Sequence, residues 1–379
     1  MKLSSSLSLP TALATVVVTI MTTTTTTIIP MTTAFVPASV SPSVLLRQEQ
    51  GNHQSSFPST STSLFAIGVL AKKAKEAELR KYVEDGVEDN VMEYYQKIKA
   101  HDGQDLDTAT VGPLQQALTR RHGTITVIAE YKRKMENSGF IDEIFDPEIL
   151  SPTFREFGAS GIAVLADNRM GGCDYKDIQQ FAKEQKRAKT EVPGPVGVIN
   201  NDLVVDELQI ARTAASGGSA VVLDLELLGP EKLETFMKAA QAVEIESIVA
   251  VSSKEDAQKV IDLGARIVSI VNLDSTDELA AAIDGLQVPE GEQVCTIAVP
   301  KPYNDKALQE VEDAWVCRDK GFNCVWVGDA LYKSGNEATE HPGAIIKSMT
   351  AKSSVKWASA KARTGKGEGA REYLGDILM

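Results

Sequence analysis

Glu130 and Lys132 are the residues whose types and spacing most directly permit acid–base chemistry in this chain. They flank Tyr131 in the run Val127-Ile128-Ala129-Glu130-Tyr131-Lys132. In an extended strand, residues two apart point to the same side. A carboxylate and an ammonium would then face the same space. Groups of opposite charge buried together perturb each other's proton affinity, which suits proton transfer. The same arrangement also makes a buried ion pair that simply fills space, and the residues alone leave both readings open.

Elements that can hold such a pair recur along the chain. Short, nearly continuous apolar runs occur at Val127–Ala129, Ile162–Ala166, Val196–Ile199, Ala220–Leu223, Ile248–Val251, Ile267–Val271, Val294–Ala298 and Cys324–Val327. Such runs suit strands buried on both faces. Amphipathic stretches lie between them, among them Tyr175–Ala188, Glu207–Ser216, Glu231–Val243, Lys254–Leu263 and Asp305–Lys320. Ser252 or Ser253, Asn304 and Pro230 mark helix starts, and Gly264 and Gly321 mark ends. Eight strands alternating with helices predict a parallel sheet. The first strand is not followed by a glycine-rich nucleotide fingerprint, so a closed (β/α)8 TIM barrel is the expected α/β fold. In such a barrel, chemistry sits at the carboxyl ends of the strands, where Glu130 and Lys132 fall. The barrel is expected over 124–351, with a helical extension over 66–123 that includes a charged helical stretch, Leu70–Lys99.

The two ends differ from this middle. Residues 1–65 carry three charges, Lys2, Arg47 and Glu49, and an unbroken threonine run, Thr22–Thr27. Lys2, the apolar stretch Leu9–Met21 and the small residues Thr32, Thr33 and Ala34 have the layout of a secretory signal. That stretch is too short and threonine-rich to span a membrane, and no span is expected in the mature chain. A Ser/Thr-rich, acid-poor stretch to Phe65 follows. Signal plus transit peptide, joined at Ala34-Phe35, resembles the bipartite leader of algae whose plastids are wrapped in extra membranes, so delivery to the plastid stroma is expected. Residues 352–379 form a tail with six Lys or Arg residues up to Arg371, plus Trp357, Tyr373 and Leu374 as apolar anchors. It is either a solvated tail or a segment that orders on an acidic protein partner. The whole chain has a formal net charge of −13, which argues against nucleic acid and anionic membranes as partners. The four cysteines, Cys173, Cys295, Cys317 and Cys324, lack metal-ligand spacing and are expected to be reduced thiols.

Several motifs, in order, resemble the indole-3-glycerol-phosphate synthase family. Val127–Lys134 is similar to its first strand, I-A-E-x-K-R/K. Phe145-Asp146-Pro147 opens the first barrel helix as in that family. Ala163–Asp167 looks like S-V-L-T-D, and Gly171-Gly172-Cys173 like F-x-G-S. Asp202–Val205 with Gln209-Ile210 resembles K-D-F-I-I…Q-I. Leu263–Ile267 is similar to L-G-A-x-x-I, and Val327–Leu331 to V-G-E-S-L. The likeness runs from about Leu70 to Lys333. It implies ring closure of a carboxyphenylamino-deoxyribulose phosphate with loss of CO2 and water, a carbon–carbon lyase step of tryptophan biosynthesis. It implies a phosphorylated small-molecule substrate, no metal and no organic cofactor. It places Glu130 and Lys132 at catalytic positions, and Asn201 and Gly328 at substrate-binding ones.

Other family positions have changed. The general-acid lysine of K-D-F aligns with Asn201, whose amide donates hydrogen bonds but delivers no proton at neutral pH. The glutamate of V-E-V aligns with Ala250. The asparagine and arginine of I-N-x-R-D align with Val271 and Leu273, leaving Asp274. The S-E-S-G stretch aligns with Thr296–Val299, so Ile297 takes the glutamate's place. Glu136 enters the first loop, where it would repel an anion. Lys301 and Lys333 are the candidates for replacing lost cations. This pattern predicts an enzyme whose activity is weak, altered or lost. The alternative is a non-catalytic binding or scaffold protein in a plastid assembly.

Overall fold

The computed structural model describes residues 61–101, 104–119, 123–135, 139–141, 146–302, 307–332 and 341–350. The leader over 1–60 and the tail over 352–379 lie outside the described residues. Eight parallel strands close into a barrel: β1 Thr126–Tyr131, β2 Gly161–Val164, β3 Gly197–Asn200, β4 Ala220–Asp224, β5 Glu246–Val251, β6 Ile267–Ile270, β7 Cys295–Ala298 and β8 Cys324–Val327. Closure is explicit in the pairing, since Ile128 of β1 is in register with Gly161 of β2 on one side and Trp326 of β8 on the other.

Alternation along each strand sorts the side chains into two layers. Ile128, Ile199, Ile248, Ile267, Ile297 and Trp326 fill the barrel interior. Val127, Ala129, Val249, Val251, Val268 and Val325 face the surrounding helices. Each fully buried aliphatic side chain is worth about 1.5–3 kcal/mol. A one-residue slip in any strand would exchange the two layers, so the register is tightly specified.

The helices start and stop where local chemistry dictates. Helix Tyr175–Arg187 has a full capping box between Asp174 and Asp177, and Glu207–Ala215 has one between Asp206 and Gln209. Ser253 caps Lys254–Asp262 by accepting from the Asp256 amide. Pro230 opens Pro230–Ala242. Gly264 and Gly321 end their helices with φ of 104° and 107°, which glycine tolerates without strain.

The extension departs from one expectation. In place of one helical stretch over Leu70–Lys99 there are two helices, α1 Ser61–Asp85 and α2 Asp89–Ala100, separated at Gly86, whose φ is 100°. Helix α1 also starts within the stretch assigned to the leader. A third helix, α3 Pro113–Leu118, puts Leu114 and Leu118 into the interior layer. The Glu246 carboxylate of β5 accepts from the Leu114 and Gln115 amides at 2.6 and 3.0 Å, satisfying the helix start at the amino end of the barrel. Among the described residues, no helix is long and apolar enough to cross a membrane.

Candidate functional site

The alternation that puts Ile128 inside the barrel also puts Glu130 inside, one layer nearer the carboxyl end. By the same parity Asn201 follows Ile199, Asp224 follows Val222, Ala250 follows Ile248, and Gly328 follows Trp326. These positions form the rim of the mouth.

Glu130, Lys132, Asn201 and Gly328 meet in one contact set. Glu130 is 7% exposed and Lys132 9%. The Lys132 ammonium lies 3.2 Å from Oε2 of Glu130 and also pairs with Asp329, the residue after Gly328. Asn201 Nδ2 donates to Oε1 of Glu130 at 2.9 Å. The Tyr332 hydroxyl donates to the Glu130 main-chain carbonyl at 2.8 Å, fixing the end of β1. A Cβ at Gly328 would lie 2.3 Å from Glu130 Oε2 and 3.1 Å from Lys132 Nζ, so a side chain there would displace the ends of this pair. Burial works against the Lys132 ammonium, but Glu130 and Asp329 outweigh it and hold the pKa above its ordinary value. Lys132 is thus a fixed cation with two internal counterions. Asp329 and Tyr332 were not singled out from sequence, although Asp329 occupies the glutamate position of V-G-E-S-L.

A second ion cluster sits beside the first. Lys75 of α1 is 2% exposed and lies 2.7 Å from Asp167, just after β2, and 2.7 Å from Asp202, just after β3. Tyr175 and Gln209 also donate to Asp202, at 3.1 and 3.0 Å. Burial opposes ionisation of Asp167, yet Lys75 and the Met170 and Arg169 amides bring its pKa from 3.8 to about 2. For Asp202, deeper in the cluster, burial prevails and the pKa is raised. Sequence reading missed Lys75, because one lysine in a helix rich in lysine and glutamate carries no signal of burial. The hint lay in Asp167 and Asp202, two aspartates that follow apolar strands directly.

The opposite side of the mouth is different. At the ends of β4, β5 and β6 lies a cavity of about 400 Å³. Ala250 and Val271 are in its wall, and its charged lining is Asp224, Glu226, Asp256 and Lys259. Ile297 is buried in the interior layer, and Leu273 packs against the outer core. Lys301 does not replace a lost cation at the mouth: it is exposed and pairs with the equally exposed Asp274 at 2.7 Å. Glu136 and Lys333 lie outside the described residues. All four cysteines are buried, and none forms a disulfide. Burial pushes the Cys173, Cys295 and Cys317 thiols up to about 12, which leaves them unreactive near neutral pH.

Fold and site together define a (β/α)8 barrel with ionisable groups on its carboxyl-end rim. The sequence pattern of indole-3-glycerol phosphate synthase matches residues 79–341, well over half of the chain. Curated synthases are similar to it. One from Leptospira interrogans is 32% identical over 39% of this chain and 55% of its own length. One from Chlorobium phaeovibrioides is 29% identical over 58% of this chain and 80% of its own length. One from Roseiflexus sp. is 27% identical over 62% of this chain and 87% of its own length. The match to the Leptospira protein therefore spans only about half of that relative. The chain belongs to the indole-3-glycerol-phosphate synthase family.

Proposed function

We propose that this protein is a divergent family barrel in which the decarboxylating ring closure of carboxyphenylamino-deoxyribulose phosphate is weak or lost. The observation that carries this reading is the closed set around Lys132. Its charge is balanced by Glu130 and Asp329, and the neighbouring position 201 holds an amide bonded to Glu130 in place of a lysine. A group that must release or accept a proton is poorly served by two fixed counterions. One missing acid or base typically costs roughly 10²–10⁴ in rate. Ala250, Val271 and Ile297 remove further polar groups from the same mouth, and the losses combine less than additively.

The test is expression of this chain in a tryptophan auxotroph lacking the ring-closing step, beside an active synthase, with turnover of the purified protein measured in parallel. The expected result is little or no growth and turnover far below the control. Growth equal to the control would overturn the proposal. A non-catalytic binding role in a plastid assembly is the alternative, supported by the basic segment 352–379 on an acidic protein. Co-purification with and without that segment tests it, and identical partners in both cases would exclude the tail. Plastid delivery by residues 1–65 is tested by fusing them to a fluorescent protein, and cytosolic fluorescence would count against it.

A further inference from the structure

We infer that the cavity at the ends of β4–β6 is a binding site for a small organic amine, with the Asp224 carboxylate as its anchor. This rests on the reading above that the mouth no longer serves an anionic substrate, and it names the ligand class the rebuilt mouth selects.

Asp224 differs from the carboxylates on the other side of the mouth. Glu130 and Asp329 share Lys132, and Asp167 and Asp202 share Lys75. Asp224 has no cationic partner among the described residues. It is half-buried, and its Oδ1 accepts from the Leu227 amide at 2.8 Å. Burial raises its pKa, the expected behaviour of a carboxylate short of a counterion.

Strand register supplies the space in front of it. Asp224 of β4 is the direct neighbour of Ala250 on β5. The methyl group of Ala250 leaves room where a longer side chain would stand, and Val271 continues the wall on the far side. About 400 Å³ is at the small end of ligand-sized cavities. The apolar wall is Leu225, Pro230, Ala250, Val251 and Val271. Charge fixes the ligand's sign: three carboxylates face the space against one lysine, Lys259. An anion entering would be repelled, whereas an ammonium would supply the missing counterion. An arylalkylamine of modest size meets both demands, apolar body and cationic head.

The experiment uses the full chain and two probes of similar shape and opposite charge, 2-phenylethylamine and 3-phenylpropionate, with affinity measured by calorimetry. The wild type is expected to bind the amine and not the carboxylate. Asp224→Asn keeps a side-chain acceptor for the Leu227 amide, so the helix start survives. It should weaken amine binding by about tenfold or more. Ala250→Leu should abolish it by filling the space. The inference is overturned if the wild type does not bind the amine, if it prefers the carboxylate, or if Asp224→Asn retains affinity within about twofold. The ring-closure assay on the same preparation separates the two ideas. Turnover there overturns the proposed function, while amine binding is decided by the Asp224 and Ala250 variants.

Discussion

The two halves of the mouth stand in contrast. On the side of β1, β2, β3 and β8, four described carboxylates share two lysines: Glu130 and Asp329 with Lys132, Asp167 and Asp202 with Lys75. On the side of β4, β5 and β6, a half-buried aspartate faces an open cavity and the remaining charges stand at its edge. The closed half holds Glu130 and Lys132, where the family pattern is retained, beside Asn201, where it has changed; the open half holds Ala250 and Val271, where it is erased. Charges that satisfy one another contribute to folding and are hard to redirect toward a ligand. On the function proposed above, a mouth keeps the emblematic residues of a family and loses the use of them when their charge is already taken up.

This contrast can be broken by measurement. The largest effect is expected from Lys75→Met, which leaves Asp202 without a cation and Asp167 with Arg169 alone, and should lower the unfolding free energy by about 3–5 kcal/mol. A urea midpoint unchanged from wild type would show that the cluster is not the anchor of α1. Asp329→Asn removes one of two counterions from Lys132 and should cost about 1.5 kcal/mol in the same assay. A stabilised variant would mean that Asp329 crowds the pair.

Acid titration sharpens the comparison further. A carboxyl whose folded pKa is depressed contributes stability above its unfolded pKa and loses it as pH falls. For Asp167 the window runs from its ordinary 3.8 down to about 2. The raised pKa of Asp202 works in the opposite sense. Asp167→Asn should therefore flatten the fall of melting temperature across that window. An unaltered slope would assign Lys75 to Asp202 alone. The smallest effect is expected on the open half, where Lys259→Ala should change stability by no more than about 0.5 kcal/mol. A loss comparable to that of Lys75→Met would erase the distinction between the halves.

Much of the architecture was legible from residue order. The run Cys324–Val327 coincides with β8, and Val127–Ala129 lies within β1. Strands buried on both sides leave uninterrupted Val and Ile, a signal that needs no tertiary context. The break at Gly86 was missed because charged residues continue across it and periodicity alone does not report one left-handed residue. The meeting of Glu130, Lys132, Asn201 and Gly328 was legible through strand parity and the family resemblance together. Asp329 and Lys75 were not, because their importance comes from what they touch across the barrel. Asp224 was hidden for another reason: it looks like an ordinary helix cap at the end of an apolar strand, which it also is.

Lys75 cannot lose its hydration shell until the ends of β2 and β3 exist to receive it, and those strands come much later in the chain. An ammonium buried before then would be costly. Helix α1 is thus expected to seat only after β2 and β3, a bolt slid home once that part of the frame is built. In hydrogen exchange its amides should open at a lower free energy than those of β2 and β3. Amides that exchange together would show that bolt and frame assemble as one.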